Sequence, residues 1–123
     1  MVDLSVQLSG VELKNPIIPA SGTFGYGREF AELYDLNILG SFSWKGTTRG
    51  ARIGNPLPRI AETPSGMLNA VGLQNPGIYA VIRDEVPNIA KLFDGPIIAN
   101  IGGFSVEEYA ENCAKLNDIE QVK

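Results

Sequence analysis

The sequence predicts an α/β fold built on a parallel sheet. Three short apolar runs alternate with segments whose apolar residues recur at helical spacing, and each run ends in small or polar residues. Such alternation is typical of right-handed βαβ units. A (β/α)8 barrel and an open, doubly wound sheet both bind ligands at the carboxyl ends of their strands, so the pattern alone leaves these two architectures open.

Local signals delimit the individual elements. The turn Ser9-Gly10 separates two short alternating segments and predicts an antiparallel hairpin. Asn37 lies where the first helix stops, and Pro87 breaks or kinks the second. In chain order, the predicted elements are a hairpin of residues 4–8 and 11–13, a strand over 16–20 that runs into a glycine-rich loop over 21–25, a helix over 28–36, a strand over 38–44, a helix over 78–92, a strand over 96–99 and a helix that follows Ser105.

The last helix carries its own start signal. Ser105 and Glu108 have the spacing of a capping box. Tyr109, Cys113 and Leu116 follow on one predicted face, so the Cys113 thiol is predicted to be buried and structural rather than reactive.

Composition excludes several classes of function. The 123 residues have the size of a single domain, and their net charge of -4 is spread without a basic stripe, which argues against nucleic acid as a partner. The sequence has no apolar run of membrane-spanning length and no signal-peptide pattern, so we expect a soluble, cytoplasmic protein without a membrane partner. The single cysteine excludes an internal disulfide framework, and the absence of histidine excludes His-based triads and common zinc sites.

The segment Gly54–Gly77, GNPLPRIAETPSGMLNAVGLQNPG, has neither helical nor strand periodicity. A connection of this length in a compact domain is uncommon unless it is functional or disordered. It contains apolar residues that a solvated linker would lack, which predicts an ordered loop that binds a ligand; an ordered loop without a ligand is the alternative. The predicted apolar anchors are Ile60, Met67, Leu68, Val71 and Leu73.

Three residues end the predicted strands: Ser21, Lys45 and Asn100. Carboxyl ends of parallel strands share one edge, so these residues are expected to lie together. Lys45 follows apolar residues, where a cation is partly desolvated unless it meets an anion; a lysine that extends to the rim is the alternative. Asn69 in the long loop suits ligand binding and Asn75 suits internal organisation of the loop, with simple turn formation as the alternative for both.

Three motifs, NPIIPASGTFGYG, SGMLNAVGLQNPG after GNPLPRIAET, and PIIANIGG, resemble in order and spacing the flavin-dependent dihydroorotate dehydrogenases. SGTFGYG and NAVGLQNPG are most similar to the class 1B catalytic subunit. The resemblance spans the chain and implies FMN-dependent oxidation of dihydroorotate to orotate in de novo pyrimidine (UMP) biosynthesis. It favours the barrel, of which residues 1–123 would be the N-terminal part: a single flavin-binding TIM-barrel domain with an N-terminal β-hairpin, incomplete in this chain.

The resemblance also implies roles for single residues. The family's base, a cysteine after the fourth strand, is expected beyond Lys123. Lys45 is implied as a catalytic cation that stabilises charge on flavin and substrate. The implied FMN contacts are Ala20, Ser21, Gly22, Lys45, Gly46 and Asn100. The implied substrate contacts are Lys45, Asn69, Ala70, Val71, Gly72 and Leu73.

The implied partners are the remainder of the barrel, an electron-transfer subunit and a second copy of the chain. The electron-transfer subunit would carry FAD and an iron–sulfur cluster and link the reaction to NAD. Two alternatives remain open. One is a non-catalytic fragment that lacks the base cysteine. The other is a related flavin barrel that acts on another pyrimidine.

Overall fold

The computed structural model describes residues 2–123, which form a mixed α/β structure. The predicted α/β class is therefore confirmed. The elements are β1 (Val6–Leu8), β2 (Val11–Leu13), α1 (Ser21–Phe24), α2 (Arg28–Ala31), a 3-10 turn (Leu36–Ile38), β3 (Phe42–Ser43), β4 (Ile60–Thr63), β5 (Gly66–Asn69), α3 (Ile78–Ala80), a π-helical turn (Val81–Glu85), α4 (Val86–Leu92), β6 (Ile97–Ile98) and α5 (Val106–Leu116).

Parallel segments lie side by side in the order in which they occur in the chain. β3 pairs in parallel with β6, with Phe42 opposite Ile97. On one side of this pair, the Ser43 N–H donates to the Pro19 carbonyl at 3.2 Å. On the other side, the Ile97 N–H donates to the Gln121 carbonyl at 2.8 Å. The order contains no reversal, an arrangement shared by neighbouring strands of a barrel and by strands within one half of a doubly wound sheet.

All three predicted strands are regular over fewer residues than expected, and β6 covers only Ile97–Ile98 of the predicted 96–99. Residues 16–20 form no regular strand, because Pro16 and Pro19 lack the N–H groups that a ladder requires. The predicted strand over 38–44 is regular only at β3. Its first residue, Ile38, belongs instead to the 3-10 turn, which the Asp35 carboxylate caps by accepting from the Asn37 N–H at 2.9 Å.

The first two helical segments also differ from the prediction. The predicted helix over 28–36 is confined to α2, because tighter bonds such as that from the Leu33 N–H to the Phe30 carbonyl end it early. The predicted loop over 21–25 contains the helical turn α1. The Ala20 carbonyl accepts from the Phe24 N–H at 3.0 Å, and this turn places the Phe24 ring in the core at 2% exposure.

The predicted helix over 78–92 is confirmed, and Pro87 has the effect expected of it. The helix widens into the π-helical turn immediately before the first turn of α4, where Pro87 lies. A proline within a helix removes one hydrogen bond and crowds the carbonyl four residues earlier, and a wider turn relieves that contact. Val81, in the π-helical turn, and Ile89, in α4, both face the core.

The last helix exposes the residue that was predicted to be buried. Its cap is as expected, since the Ser105 hydroxyl accepts from the Glu108 N–H at 3.2 Å. Cys113, however, is exposed, and α5 instead buries Asn112 and Leu116. The predicted face was displaced by one residue because Asn112, although polar, packs beneath the Gly102 carbonyl, to which its amide lies at 3.5 Å.

Aromatic rings form the centre of the core. The Phe24 ring stacks on Phe30 at a centroid distance of 4.6 Å and contacts Phe42 at 4.9 Å, and Phe42 contacts Phe93 at 5.3 Å. Phe42 belongs to β3, so this row of rings packs α1, α2 and α4 onto one face of the parallel pair. These rings do not cover the opposite face of the β3–β6 pair.

The N-terminal hairpin covers the amino end of that opposite face. β1 and β2 pair antiparallel through Ser9 and Gly10, both with positive φ, as two-residue hairpin turns require. Leu13 is only 2% exposed and lines a small apolar cavity with Ser41 and Ile98. Among the helices of residues 2–123, none has the length and apolar character needed to cross a membrane.

Candidate functional site at the carboxyl edge of the strands

Four of the predicted site residues meet where the parallel segments end. The Asn100 amide nitrogen donates to the Ser21 hydroxyl at 2.7 Å. Gly46 lies beside them, because a Cβ on Gly46 would be 3.6 Å from the Asn100 amide nitrogen and 2.9 Å from Cδ1 of Leu73. A side chain at position 46 would therefore require the Leu73 side chain to move. Ser21, Gly46, Leu73 and Asn100 form what we call the edge cluster.

Lys45 precedes Gly46 of this cluster in the chain and lies at the same edge of the strands. Phe42 and Trp44 are fully buried in the core, so the alternation of a strand places Lys45 on the opposite face, where it is half-buried. Its N–H donates to the Gly25 carbonyl at 2.8 Å. In every ion pair found within residues 2–123 the cation is an arginine. No carboxylate of these residues therefore neutralises the Lys45 ammonium.

Ala20 and Gly22 flank the cluster at the start of α1. Both are exposed, and nothing lies within 4 Å of the position that a Cβ on Gly22 would occupy. The backbone there is accessible to a flat ligand. The cluster, Lys45 and this open backbone together offer a hydroxyl, an amide, a cation and a small-residue surface at one edge.

The long loop brings some of its predicted residues to this edge and leaves others away from it. Leu73 reaches Gly46 with its side chain. Gly72 and Leu73 both have positive φ, 81° and 55°, so the backbone turns sharply there. Asn69 instead ends β5, where it pairs with Ile60 of β4 and is exposed.

The loop contains a hairpin that the pattern of apolar residues did not predict. β4 and β5 pair antiparallel from Ile60 with Asn69 to Thr63 with Gly66, and every residue of both strands is exposed. The signal that could have revealed it is Pro64-Ser65-Gly66, a turn sequence between two short runs. The predicted apolar anchors are wrong here, because Ile60, Met67 and Leu68 are each about 60% exposed or more.

Polar side chains hold the loop in place of apolar anchors. Arg59 donates to the carbonyls of Ile53 at 2.8 Å and Asn55 at 2.6 Å, and to the Gln74 side chain at 2.6 Å. The Arg59 carbonyl accepts from the Ala70 N–H, and the Val71 carbonyl accepts from the Asn55 N–H at 3.0 Å. Ala70 and Val71 are thus ordered through their backbones, by residues that sequence patterns did not single out.

Asn75 joins the end of the loop to the strand edge. Asn75 is only 5% exposed. Its side-chain oxygen accepts from the N–H groups of Thr48 at 3.1 Å and Gly77 at 2.9 Å. Its amide nitrogen donates to the Leu73 carbonyl at 2.9 Å and the Thr48 hydroxyl at 3.0 Å. The expectation that Asn75 organises the loop internally is confirmed.

Arg52 fastens the same loop from the other side. Its backbone pairs with Asn75 in both directions, at 2.8 and 3.0 Å, and its Nε donates to the Gly72 carbonyl at 3.4 Å. Its guanidinium lies 5.0 Å from the centroid of the Phe104 ring. The left-handed turn at Gly72 is therefore held against residues that follow β6.

Tyr26 lies beneath the edge with its hydroxyl 3.3 Å from that of Thr47. Burial raises the pKa of Tyr26, and the negative charge of Glu85 adds to the rise. The phenol is therefore held in its neutral form. Glu85 itself pairs with Arg28 at 2.9 Å.

This raised pKa predicts a loss of stability at high pH. Because the folded state binds the phenolic proton more tightly, the stabilisation is complete below the unfolded pKa of about 10 and is lost as pH rises through the higher folded pKa. We expect the free energy of unfolding to fall more steeply from about pH 8 to about pH 11 in the unchanged chain than in Tyr26→Phe. Urea unfolding at both pH values measures this, with Tyr79→Phe, at an exposed tyrosine, as the control. Equal slopes for Tyr26→Phe and the unchanged chain would contradict it.

Residues 2–123 contain no group of three or more acidic or cysteine side chains placed to hold a metal ion. The chemistry of the edge instead suits an organic ligand with a polar rim and negative charge. The fold and this edge define the class of α/β proteins in which ligands bind at the carboxyl ends of parallel strands.

Comparison with known proteins names the family within that class. The chain belongs to the dihydroorotate dehydrogenase family, whose model matches residues 3–123. It is 58% identical over 114 residues to the dihydroorotate dehydrogenase B (NAD(+)) catalytic subunit of Anoxybacillus flavithermus, an alignment that covers 93% of this chain and 36% of that protein. It is 55% identical over 120 residues to the subunit of the same name from Enterococcus faecalis, covering 98% and 38%.

A solved structure agrees with this assignment at the level of the fold. The crystal structure of DHODH in complex with ferulenol from Eimeria tenella superposes with a TM-score of 0.63 at 19% identity, covering 95% of this chain and 33% of that one. The chain thus spans about a third of the length of the proteins to which it is similar.

Proposed function

We propose that residues 1–123 are the N-terminal part of a single flavin-binding (β/α)8 barrel that oxidises dihydroorotate to orotate in pyrimidine biosynthesis. The observation that carries the proposal is the edge cluster with Lys45 beside it, in a chain of this family. The family match and the likeness in fold to the solved DHODH structure support the barrel, and the unreversed order of the parallel segments is compatible with it. The chain covers 36% and 38% of the two relatives, which supports its being one part of such a barrel.

The residues at the edge fit FMN. The Lys45 ammonium, which no carboxylate of residues 2–123 neutralises, suits a ligand that carries negative charge. The Asn100 amide and the Ser21 hydroxyl offer polar contacts, and the exposed backbone at Ala20 and Gly22 admits a planar ring. Gly46 lets the strand approach that ring closely.

When bound, FMN supplies the acceptor for the hydride of dihydroorotate. In the proposed site, Lys45 stabilises the negative charge that arrives with the hydride and binds the substrate carboxylate. The N–H groups of Gly72 and Leu73, in their left-handed turn, bind that carboxylate as well. Asn69 binds the substrate ring by its amide, which requires the exposed β4–β5 hairpin to approach the edge. Ala70 and Val71 contribute backbone and apolar surface to the same wall.

The base belongs to the remainder of the barrel in this proposal. Cys113 is exposed on α5 and follows no strand, so it has no part in proton removal at the edge. The relatives named B (NAD(+)) catalytic subunits suggest that electrons pass on to NAD through an electron-transfer subunit, which would carry FAD and an iron–sulfur cluster.

Flavin retention tests the proposal. The test uses this chain and a completed chain, defined as this chain continued by the remainder of the Anoxybacillus flavithermus subunit. Each is mixed with FMN, desalted and measured by visible absorbance. We expect the completed chain to retain flavin and to reduce it with dihydroorotate.

A completed chain that is folded by circular dichroism but retains no flavin would overturn the proposal. Flavin reduction by dihydrouracil in place of dihydroorotate would overturn the substrate assignment alone. If the 123-residue chain also retains flavin, the FMN contacts proposed for it are sufficient without the rest of the barrel.

A further inference from the structure

Thr47 is a buried hydroxyl at the carboxyl edge to which no role has been assigned. Its side chain is 0% exposed. Its Oγ1 lies 2.8 Å from the Lys45 carbonyl and 3.3 Å from the Tyr26 hydroxyl. A buried hydroxyl with partners on both sides is costly to remove, since each partner would be left unpaired.

The direction of these hydrogen bonds follows from the groups involved. A threonine hydroxyl has one proton, and a carbonyl can only accept. Thr47 therefore donates to the Lys45 carbonyl, and the Tyr26 hydroxyl must donate to Thr47. The result is a directed chain from Tyr26 through Thr47 to the peptide of Lys45.

The backbone of Thr47 joins the same point to the neighbouring strand. Its N–H donates to the Asn100 carbonyl at 3.0 Å, and its carbonyl accepts from the Gly102 N–H at 2.8 Å. Thr47 and Ile101 form a parallel bridge. One buried residue thus contacts the backbones of both Lys45 and Asn100, the two proposed ligand-binding residues on adjacent strands.

We propose that Thr47 is a positioning residue that holds the Lys45 peptide, and with it the direction of the Lys45 side chain, in the site described under Proposed function, on which this inference rests. If Thr47 only filled buried volume, valine would replace it, because valine has nearly the same shape and lacks the hydroxyl. If the hydroxyl positions Lys45, serine would replace it and valine would not.

The test compares Thr47→Val with Thr47→Ser. In the 123-residue chain, the amide order parameters and carbonyl chemical shift of Lys45 are measured by NMR, with no flavin present. In the completed chain, the FMN dissociation constant, the flavin spectrum and the rate of flavin reduction by dihydroorotate are measured. A displacement of a catalytic group by about 1 Å can cost up to 100-fold in rate.

We expect Thr47→Val to slow flavin reduction at least about tenfold, to alter the flavin spectrum and to increase the mobility of Lys45, while Thr47→Ser stays within about threefold of the unchanged rate. Unaltered Lys45 signals in a folded Thr47→Val chain would overturn the inference, as would equal defects in both variants. A completed chain that binds no FMN although Thr47→Val still mobilises Lys45 would overturn the proposed function but uphold the positioning role.

Discussion

Replacing Lys45 with alanine in the completed chain is expected to slow flavin reduction by dihydroorotate about 100-fold, a loss typical of removing one group that stabilises developing charge in a water-excluded site. Lys45 is half-buried at the strand edge and has no carboxylate partner within residues 2–123. Its positive charge is therefore available to a ligand. The measurement is the anaerobic, single-turnover decay of flavin absorbance after mixing with dihydroorotate, at equal FMN content.

The controls separate a local charge from a general effect. Lys91→Ala removes a lysine from the exposed last turn of α4 and should leave the rate unchanged. Lys45→Arg keeps the charge but replaces a compact ammonium with a planar guanidinium, so only part of the rate should return. A Lys45→Ala protein whose rate lies within about threefold of the unchanged one would remove Lys45 from the proposed site.

The sequence predicts those residues of the site that lie directly after a predicted strand. Ser21, Lys45 and Asn100 each come after an apolar run, and parallel strands end at one edge, so their proximity is a consequence of the α/β pattern. The structure confirms the contact between Ser21 and Asn100. The order of the parallel segments could not be predicted from that pattern, because barrels and open sheets share it.

Elsewhere, tertiary contacts override local patterns. Phe24 turns residues 21–24 into a helical turn because its ring packs on Phe30 and Phe42, which no local signal shows. On α5, Asn112 is buried and Cys113 exposed because a polar side chain finds a backbone partner beneath Gly102. Amphipathicity places polar residues outside by default, so such an exception displaces the predicted face.

In the long loop, too, tertiary contacts decide what local sequence patterns do not predict. Its apolar residues were predicted to anchor it, yet Arg52, Arg59 and Asn75 do so through hydrogen bonds to residues up to 27 positions away. Pairings at that separation depend on the folded chain, and neither periodicity nor turn propensity contains them. Gly72 and Leu73 are left-handed because this network holds both ends of their turn.

Asn75→Ala is expected to lower the free energy of unfolding of the chain by about 3 kcal/mol. The substitution leaves the N–H groups of Thr48 and Gly77 and the Leu73 carbonyl without their partner, in a position that is only 5% exposed. Each unsatisfied buried group costs about 1 to 3 kcal/mol, so the loss exceeds that of one surface hydrogen bond. In the completed chain the same change should weaken dihydroorotate binding, because the turn at Gly72 and Leu73 loses its support.

Urea unfolding of the chain measures the first effect, and the KM for dihydroorotate in the completed chain measures the second. Asn117→Ala, at an exposed asparagine after α5, is the matched control and should change the free energy of unfolding by no more than about 0.5 kcal/mol. Asn75→Asp is a sharper variant, since it keeps the acceptor for Thr48 and Gly77 but turns a second oxygen toward the Leu73 carbonyl. We expect it to be at least as destabilising as alanine. If Asn75→Ala and Asn117→Ala unfold at the same urea concentration, the loop does not depend on Asn75, and the polar network is not what orders the proposed substrate wall.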